Sequence, residues 1–394
     1  MTIEFHTATK KDNKMPNQDE RLHALDALRA IMMLLGLVIH TAASYMTTDL
    51  GQGWPLKDVN STHLSFDILS GYIHGFRMPI FFAVAGFFSA LLFFNQSPKS
   101  MLLNRIKRIL LPLLVFLLLL WPINAFIWTY GFSVMEHSAS PWQDTWNTIL
   151  NIKTYLPENT IHLWFLYYLV YFSFFGYLIG LLQNRFQKTS LGLQSIYNAM
   201  MKYPLIRPII FATLTFVFLL SIENPLPEQQ GQFIPNWQAF IFYFSFYVFG
   251  WFLFGSKHLI STLPKHSWKL LLLAIPTHLA FMALNATGKT ELSILCVIHA
   301  LSTWLFVFSI FGLFIRYFSQ RSQLMRFISN GAYWIYLIHL PVVAFFTIAL
   351  LGMEMHSSIK FLIVFLSSLF VCMISYRYWV QSSVISVFLN GRRF

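Results

Sequence analysis

The residues of this chain best suited to chemistry are histidines and arginines set inside long apolar stretches. An imidazole takes up and releases a proton near neutrality, and a guanidinium grips anions through a fixed fork of donors. Either group is costly in hydrocarbon, so it faces a cavity or another polar group and marks a candidate functional site. Asp26-Ala-Leu-Arg29 is followed by ten uncharged residues and then His40-Thr-Ala-Ala-Ser44-Tyr45. In an α-helix the step from Arg29 to His40 is three turns plus about 20°, which puts both on one face roughly 16 Å apart along the axis. Asp26 lies one turn before Arg29 and can hold its guanidinium. Ser44 lies one turn beyond His40. A second stretch, Tyr72-Ile-His74-Gly-Phe-Arg77-Met-Pro79, carries His74 and Arg77 on one face. Counted along their helices, His40, His74 and Arg77 reach a similar depth and converge if the two helices are neighbours. Alone, His40 reads as a packing histidine; in register with Arg29, His74 and Arg77 it reads as functional. No metal site is expected, because there is no cysteine cluster and no carboxylate at ligand spacing from His40 and His74.

Other candidates carry equally plain alternatives. Arg105 and Arg108, in Asn104-Arg105-Ile-Lys107-Arg108, have the spacing to grip a phosphate. They also suit a simple cytoplasmic anchor. Glu158 and His162 precede Trp164 at the start of an apolar run, where an interfacial cap with its aromatic belt would look the same. Tyr333, Tyr336 and His339 share one stretch, and helix–helix hydrogen bonding explains them as well as function does. His278 and His299 read as polar contacts between helices.

The elements that must position these groups are membrane-spanning helices. Hydrophobic residues make up 56% of the chain and charged ones only 11%, against roughly a quarter charged in a soluble domain. Apolar runs near 28–46, 68–94, 109–130, 161–183, 206–222, 237–255, 268–286, 292–315, 332–351 and 360–382 each approach the roughly 20 residues that cross a bilayer. The fold class expected is all-α, a polytopic integral membrane protein of about ten transmembrane helices. The fifth run is short and flanked by Pro204, Pro208 and Pro225, and the second is long enough to include an interfacial turn.

Charge placement gives the orientation. With ten crossings and a cytoplasmic N-terminus, Lys99, Arg105, Lys107, Arg108, Arg185, Lys188, Lys202, Arg207, Lys257, Lys265, Lys269, Arg316, Arg321, Arg326, Arg377, Arg392 and Arg393 fall inside. Only Lys57, Lys153, Lys289 and Lys360 fall outside, together with acids such as Asp49, Asp58, Asp67, Glu136, Asp144, Glu291 and Glu354. The positive-inside rule then places both termini in the cytoplasm. The net charge of +12 is thus a topology signal, with no basic soluble face for nucleic acid. Residues 1–24 read as a disordered cytoplasmic tail without a cleavable signal peptide, and 25–394 as a single transmembrane domain. Cys296 and Cys372 lie inside apolar runs and suggest no disulfide framework.

At these same residues the chain resembles the family-three membrane acyltransferases, and within them the branch of the glucan biosynthesis protein C succinyltransferases. Arg29 to His40 matches the family's basic residue, ten residues, then histidine. His74-Gly-Phe-Arg77-Met-Pro-Ile-Phe-Phe-Ala-Val-Ala-Gly86-Phe-Phe-Ser89 is similar to that branch's second helix. Arg105-Ile-Lys-Arg108 with Leu-Leu-Pro112, His162-Leu-Trp164-Phe165-Leu166, and Asn330-Gly-Ala-Tyr-Trp-Ile-Tyr336-Leu-Ile-His339-Leu-Pro341 complete five blocks in order. The chain departs from the pattern at Ala85, where a serine is usual, and it lacks the esterase-like domain that some relatives append.

The resemblance implies acyl transfer from cytoplasmic acyl-CoA, as donor substrate and with no bound cofactor, to a hydroxyl of an envelope glycan in a bacterial inner membrane. The CoA phosphates would meet Arg29, held by Asp26, together with Arg105 and Arg108. A pantetheine arm of roughly 15–20 Å would carry the thioester to His40. There His40 would act as general base, with Arg77 or His74 on the oxyanion or the acceptor, and a covalent acyl-histidine as the alternative route. Glu158, His162, Trp164 and Ser44 would line the acceptor side. Acetyl and succinyl remain the two candidate acyl groups, with the branch favouring succinyl. A transporter of small anions or glycans, with the same charges lining its pathway, is the rival from another class.

Overall fold

A computed structural model describes residues 18–227, 231–391 and 393. Its helices are α1 (Gln18–Ala43), α2 (Leu64–Asn95), α3 (Pro98–Arg105), α4 (Leu111–Met135), α5 (Pro141–Leu150), α6 (Trp164–Arg185) and α7 (Gln187–Met201). The order continues with α8 (Arg207–Ser221), α9 (Trp237–Gly255), α10 (Ser267–Ala286), α11 (Leu292–Tyr317), α12 (Gln323–Ala349), α13 (Ser357–Ser375) and α14 (Val384–Asn390). No strand occurs among the described residues. The fold is all-α and polytopic, as the hydropathy pattern predicts: nine segments among the described residues are long and apolar enough to cross a membrane.

The fifth expected crossing, α8, is a shorter apolar helix over Arg207–Ser221, opened by Pro208 at its first turn. Two expectations change. The long second run is one continuous helix of 32 residues, with Pro79 inside it and no interfacial break. The first helix begins at Gln18, within the stretch read as tail, while residues 1–17 lie outside the described residues.

Local chemistry sets the ends. Ser97, Asn236 and Ser322 cap α3, α9 and α12 by accepting the N–H groups of Ser100, Gln238 and Met325. The imidazoles of His63 and His356 do the same for α2 and α13. Gly391, at φ 86°, closes α14 in the left-handed conformation.

The helices α2 and α11 form the centre, each with 72% of its apolar window buried inside the protein, whereas α10 and α13 bury only 28% and present their remaining apolar surface to lipid. The crossing of α2 and α9 is close enough that a Cβ on Gly86 would collide with the backbone carbonyl of Tyr247. Backbone cannot swing aside as a side chain can. Gly86→Val is therefore expected to destabilise the protein by about 1–3 kcal/mol or more, seen as a lower melting midpoint and lower yield in detergent.

Among the described residues, α14 packs at one face of the bundle, against α12 and the 106–110 turn. There Asn390 Nδ2 donates to the Asn330 carbonyl at 3.2 Å, and Tyr333 in α12 donates to the Arg108 carbonyl at 2.9 Å. On the opposite face the 44–63 segment folds over the end of α1. The Asp58 N–H bonds Ser44 O at 2.9 Å, and the Asp67 carboxylate accepts from Thr47 and Thr48. A buried ion pair, Lys360 to Asp58 at 2.5 Å, fastens the segment to α13.

Candidate active site

The site is a column of polar groups along α1. In the first half of α1, Arg29 pairs with Asp26 at 3.1 Å, as the one-turn spacing predicts, and lies over the Phe88 ring of α2. Both side chains are about two-fifths exposed, so this end is open. Arg105 reaches into the same region and donates Nη2 to Ser89 Oγ at 2.9 Å, with its Nε buried and without a partner. Ser89 in turn donates to the Ala85 carbonyl at 2.9 Å.

Arg108 does not join Arg105. It caps α14 by donating to the carbonyls of Val387 and, at 2.7 Å, Phe388. The cause is local: residues Ile106–Leu110 form a π-turn. Each residue there rotates the chain less than in an α-helix, so an i, i+3 pair diverges around the axis.

Midway along, Arg77 of α2 donates Nε to the Met32 carbonyl at 2.8 Å. Gly36, one turn further on α1, makes room for it: a Cβ there would strike the guanidinium. No carboxylate pairs with Arg77 among the described residues. His74, one turn away, has an exposed side chain, so this part of α2 borders open space. Arg77 thus meets α1 between Arg29 and His40, as the neighbouring-helix expectation requires.

The upper end differs from that expectation. His40 lies in the last turn of α1. The imidazole rings that approach it are those of His339 of α12, tilted at 5.1 Å between centroids, and His162, edge-on at 6.4 Å. His162 and His339 are themselves 5.1 Å apart, with Tyr336 beside both. Trp54 of the 44–63 segment closes the top, 5.7 Å from the His40 ring. Ser44 is fully buried and holds Trp54 in place by accepting its Nε1–H at 2.7 Å. Among the described residues, no group of His, Cys, Asp or Glu is arranged to hold a metal ion.

His162 is fixed with unusual firmness. Tyr336 Oη donates to its backbone carbonyl at 2.8 Å, and its own Nε2 meets the Leu337 carbonyl at 3.0 Å. The preceding Ile161 has φ 49°, an outlier for a β-branched residue. That conformation is held by Asn159 Oδ1 on the Ile161 N–H at 2.8 Å and by Thr160, whose N–H and hydroxyl both bond Gly231 O at 2.7 Å. Stored strain of this kind accompanies functional sites. Trp164 starts α6 against Tyr168 and Tyr243, and Glu158 is exposed on the bend before it.

His339, Trp54 and Ser89 are the members that sequence reasoning did not place here. The Tyr336–His339 spacing was the available signal for the first, since it puts a phenol and an imidazole on one helix face. Ser89 closes the second block of the family resemblance, and nothing local marks Trp54.

Comparison with known proteins gives the family. Residues 22–377 match the acyltransferase-3 model, described as an acyltransferase domain. The chain is similar to glucans biosynthesis protein C of Escherichia coli K12, 26% identical over 352 residues that cover 85% of this chain and 84% of that protein. It is likewise similar to glucans biosynthesis protein C of Salmonella paratyphi B, 27% identical over 351 residues and 83% of each chain. No solved structure matches.

Proposed function

Because the chain belongs to the acyltransferase-3 family, we propose that this membrane acyltransferase moves an acyl group from cytoplasmic acyl-CoA to a hydroxyl of an envelope glucan, with His40 as general base. The observation that carries the reading is the column itself. It runs from an open cationic mouth at Asp26, Arg29 and Arg105 to a closed imidazole cluster at His40. The roughly 16 Å between Arg29 and His40 along α1 suits the pantetheine arm of CoA. Both chain ends then lie in the cytoplasm, on the face where the phosphates enter.

In the reaction, the acceptor hydroxyl attacks the thioester carbonyl and gives its proton to His40. The C–O bond forms, the C–S bond breaks, and the thiolate leaves as CoA with the proton returned by His40. Arg77 stands between mouth and base without a carboxylate partner among the described residues. An unpaired guanidinium at this depth favours an anion. That supports succinyl-CoA over acetyl-CoA as donor, with the free carboxylate against Arg77. His162, Trp164 and Glu158 lie toward the acceptor side, as do the curated relatives' glucans in this reading.

The two arginines of the Arg-x-x-Arg block separate the donor reading experimentally. Arg105→Ala is expected to raise the KM for acyl-CoA at least about tenfold, the order lost with one charge-assisted hydrogen bond to phosphate. Arg108→Ala is expected to leave that KM near wild type and to lower stability through α14. Equal effects of the two substitutions on KM would contradict the arrangement.

A further inference from the structure

His339 is absent from the transfer chemistry above, yet its ring is the one nearest His40. Its Nδ1 lies 2.6 Å from the Tyr336 carbonyl. A carbonyl only accepts, so Nδ1 carries the proton and Nε2 of the neutral ring is a bare lone pair. That Nε2 is buried, with the whole residue 1% exposed, and has no hydrogen-bond partner. Buried acceptors are nearly always satisfied, and an exception points to a partner that arrives during function.

The same reasoning applied to His162 gives the mirror image. Its Nε2 donates to Leu337 O, and its Nδ1 is the unpartnered atom. Two bare acceptors cannot bond each other, although their rings are 5.1 Å apart. His40 is the imidazole in the group with no hydrogen bond among the described residues, and it has an N–H to give. His339 sits closer to it, at 5.1 Å and 46° between ring planes, than His162 does at 6.4 Å and 80°. The Arg77 Nε–H is committed to the Met32 carbonyl at 2.8 Å.

We propose that His339 is the positioning partner of His40: its Nε2 accepts the His40 N–H, fixing which His40 nitrogen stays free to take the acceptor's proton. The proposal rests on His40 being the general base. It supplies the third group that a base needs to hold one tautomer and one orientation, a place more often filled by a carboxylate. The structure holds the two rings 5.1 Å apart without a hydrogen bond between them. The bond forms when the His40 ring turns toward Nε2 on substrate binding, and it then persists while the hydroxyl proton moves to the free His40 nitrogen and on to the CoA thiolate. No bond of His339 itself breaks.

Two substitutions separate this role from mere packing, because each keeps one of the two ring nitrogens' functions. His339→Gln places an amide oxygen where Nε2 stands and gives up the tether to Tyr336. His339→Asn keeps an N–H for Tyr336 and gives up the acceptor. With labelled acyl-CoA and glucan, His339→Gln is expected to keep kcat within about tenfold of wild type. His339→Asn is expected to lose at least about a hundredfold, toward the lower end of what general-base catalysis contributes, with both KM values unchanged.

The opposite ranking, or equal losses with raised KM, would assign His339 a structural role and overturn the proposal. Should the asparagine variant fail to fold, ¹⁵N NMR of histidine-labelled wild type with substrate bound decides. A His40 N–H bonded to an unprotonated His339 Nε2 upholds the pairing, and its absence overturns it. If wild type itself transfers no label, the acyl-transfer reading fails and this proposal with it; transfer with the inverted ranking sinks this proposal alone.

Discussion

His40→Ala is expected to fold and to lose acyl transfer by about 10²–10⁴-fold, the range that a positioned general base contributes. The check is label transferred per folded molecule, with the protein quantified by monodisperse elution from detergent. Folding should survive because His40 makes no hydrogen bond among the described residues, so its removal breaks none. Its neighbours Trp54, His162 and His339 are each held by other bonds, to Ser44, Leu337 and Tyr336. His278→Ala is the contrasting control. That histidine is buried in the protein, and both its ring nitrogens are engaged, with Ser302 Oγ and Gly71 O at 3.1 Å each. Its loss should lower stability and leave transfer per folded molecule near wild type. If His278→Ala and His40→Ala lost activity alike, the assignment of the base to His40 would be wrong.

Lys360→Met is expected to cost about 3–5 kcal/mol, because removing one partner leaves the other charge buried and unpaired. Lys360 is 1% exposed and Asp58 5%, at 2.5 Å, so water cannot take over the role of the lost ammonium. The neighbouring Tyr45 hydroxyl offers no compensating charge, because a phenol is neutral or anionic and never cationic; burial and the Asp58 carboxylate push its ionisation up and keep it neutral. Asp58→Asn combined with Lys360→Met removes both charges and should recover most of the loss. The consequence reaches the site as well. Asp58 N–H bonds Ser44 O, Ser44 Oγ holds Trp54, and Trp54 covers His40. The single variant should therefore lose transfer along with melting temperature, and the double variant should regain both. A double variant no more stable than the single one would show that the pair is not what fastens the 44–63 segment.

What the sequence made legible follows the range over which its signals act. Helical periodicity is local, so the shared face of Arg29 and His40 and the Asp26–Arg29 pair followed from residue spacing alone. Hydropathy is local too, and it located the nine long spans and the shorter α8. The failures lie where partners come from distant elements. Asp58 and Lys360 are 302 positions apart, and each looked like an ordinary outer-loop charge. His339 joins His40 because α12 packs against α1, and the pattern within either helix does not specify that neighbour. Depth counting set His74 and Arg77 of α2 at the level of His40, but depth fixes height and not rotation, so it did not specify that the imidazole rings nearest His40 come from α12 and the 161–163 turn. Arg105 and Arg108 parted because the spacing rule assumes 3.6 residues per turn and the π-turn at Ile106–Leu110 breaks it.

Label transfer in membrane vesicles tests the central claim most directly. Vesicles holding wild type or His40→Ala would receive radiolabelled succinyl-CoA or acetyl-CoA on the CoA-accessible face and envelope glucan on the other, with free CoA measured in parallel. The expected result is label on glucan with stoichiometric CoA release by wild type, stronger with succinyl-CoA, and none with His40→Ala. Unlabelled glucan and no CoA release from either donor, with folded wild type present, would contradict acyl transfer and turn the same polar column into a transport pathway.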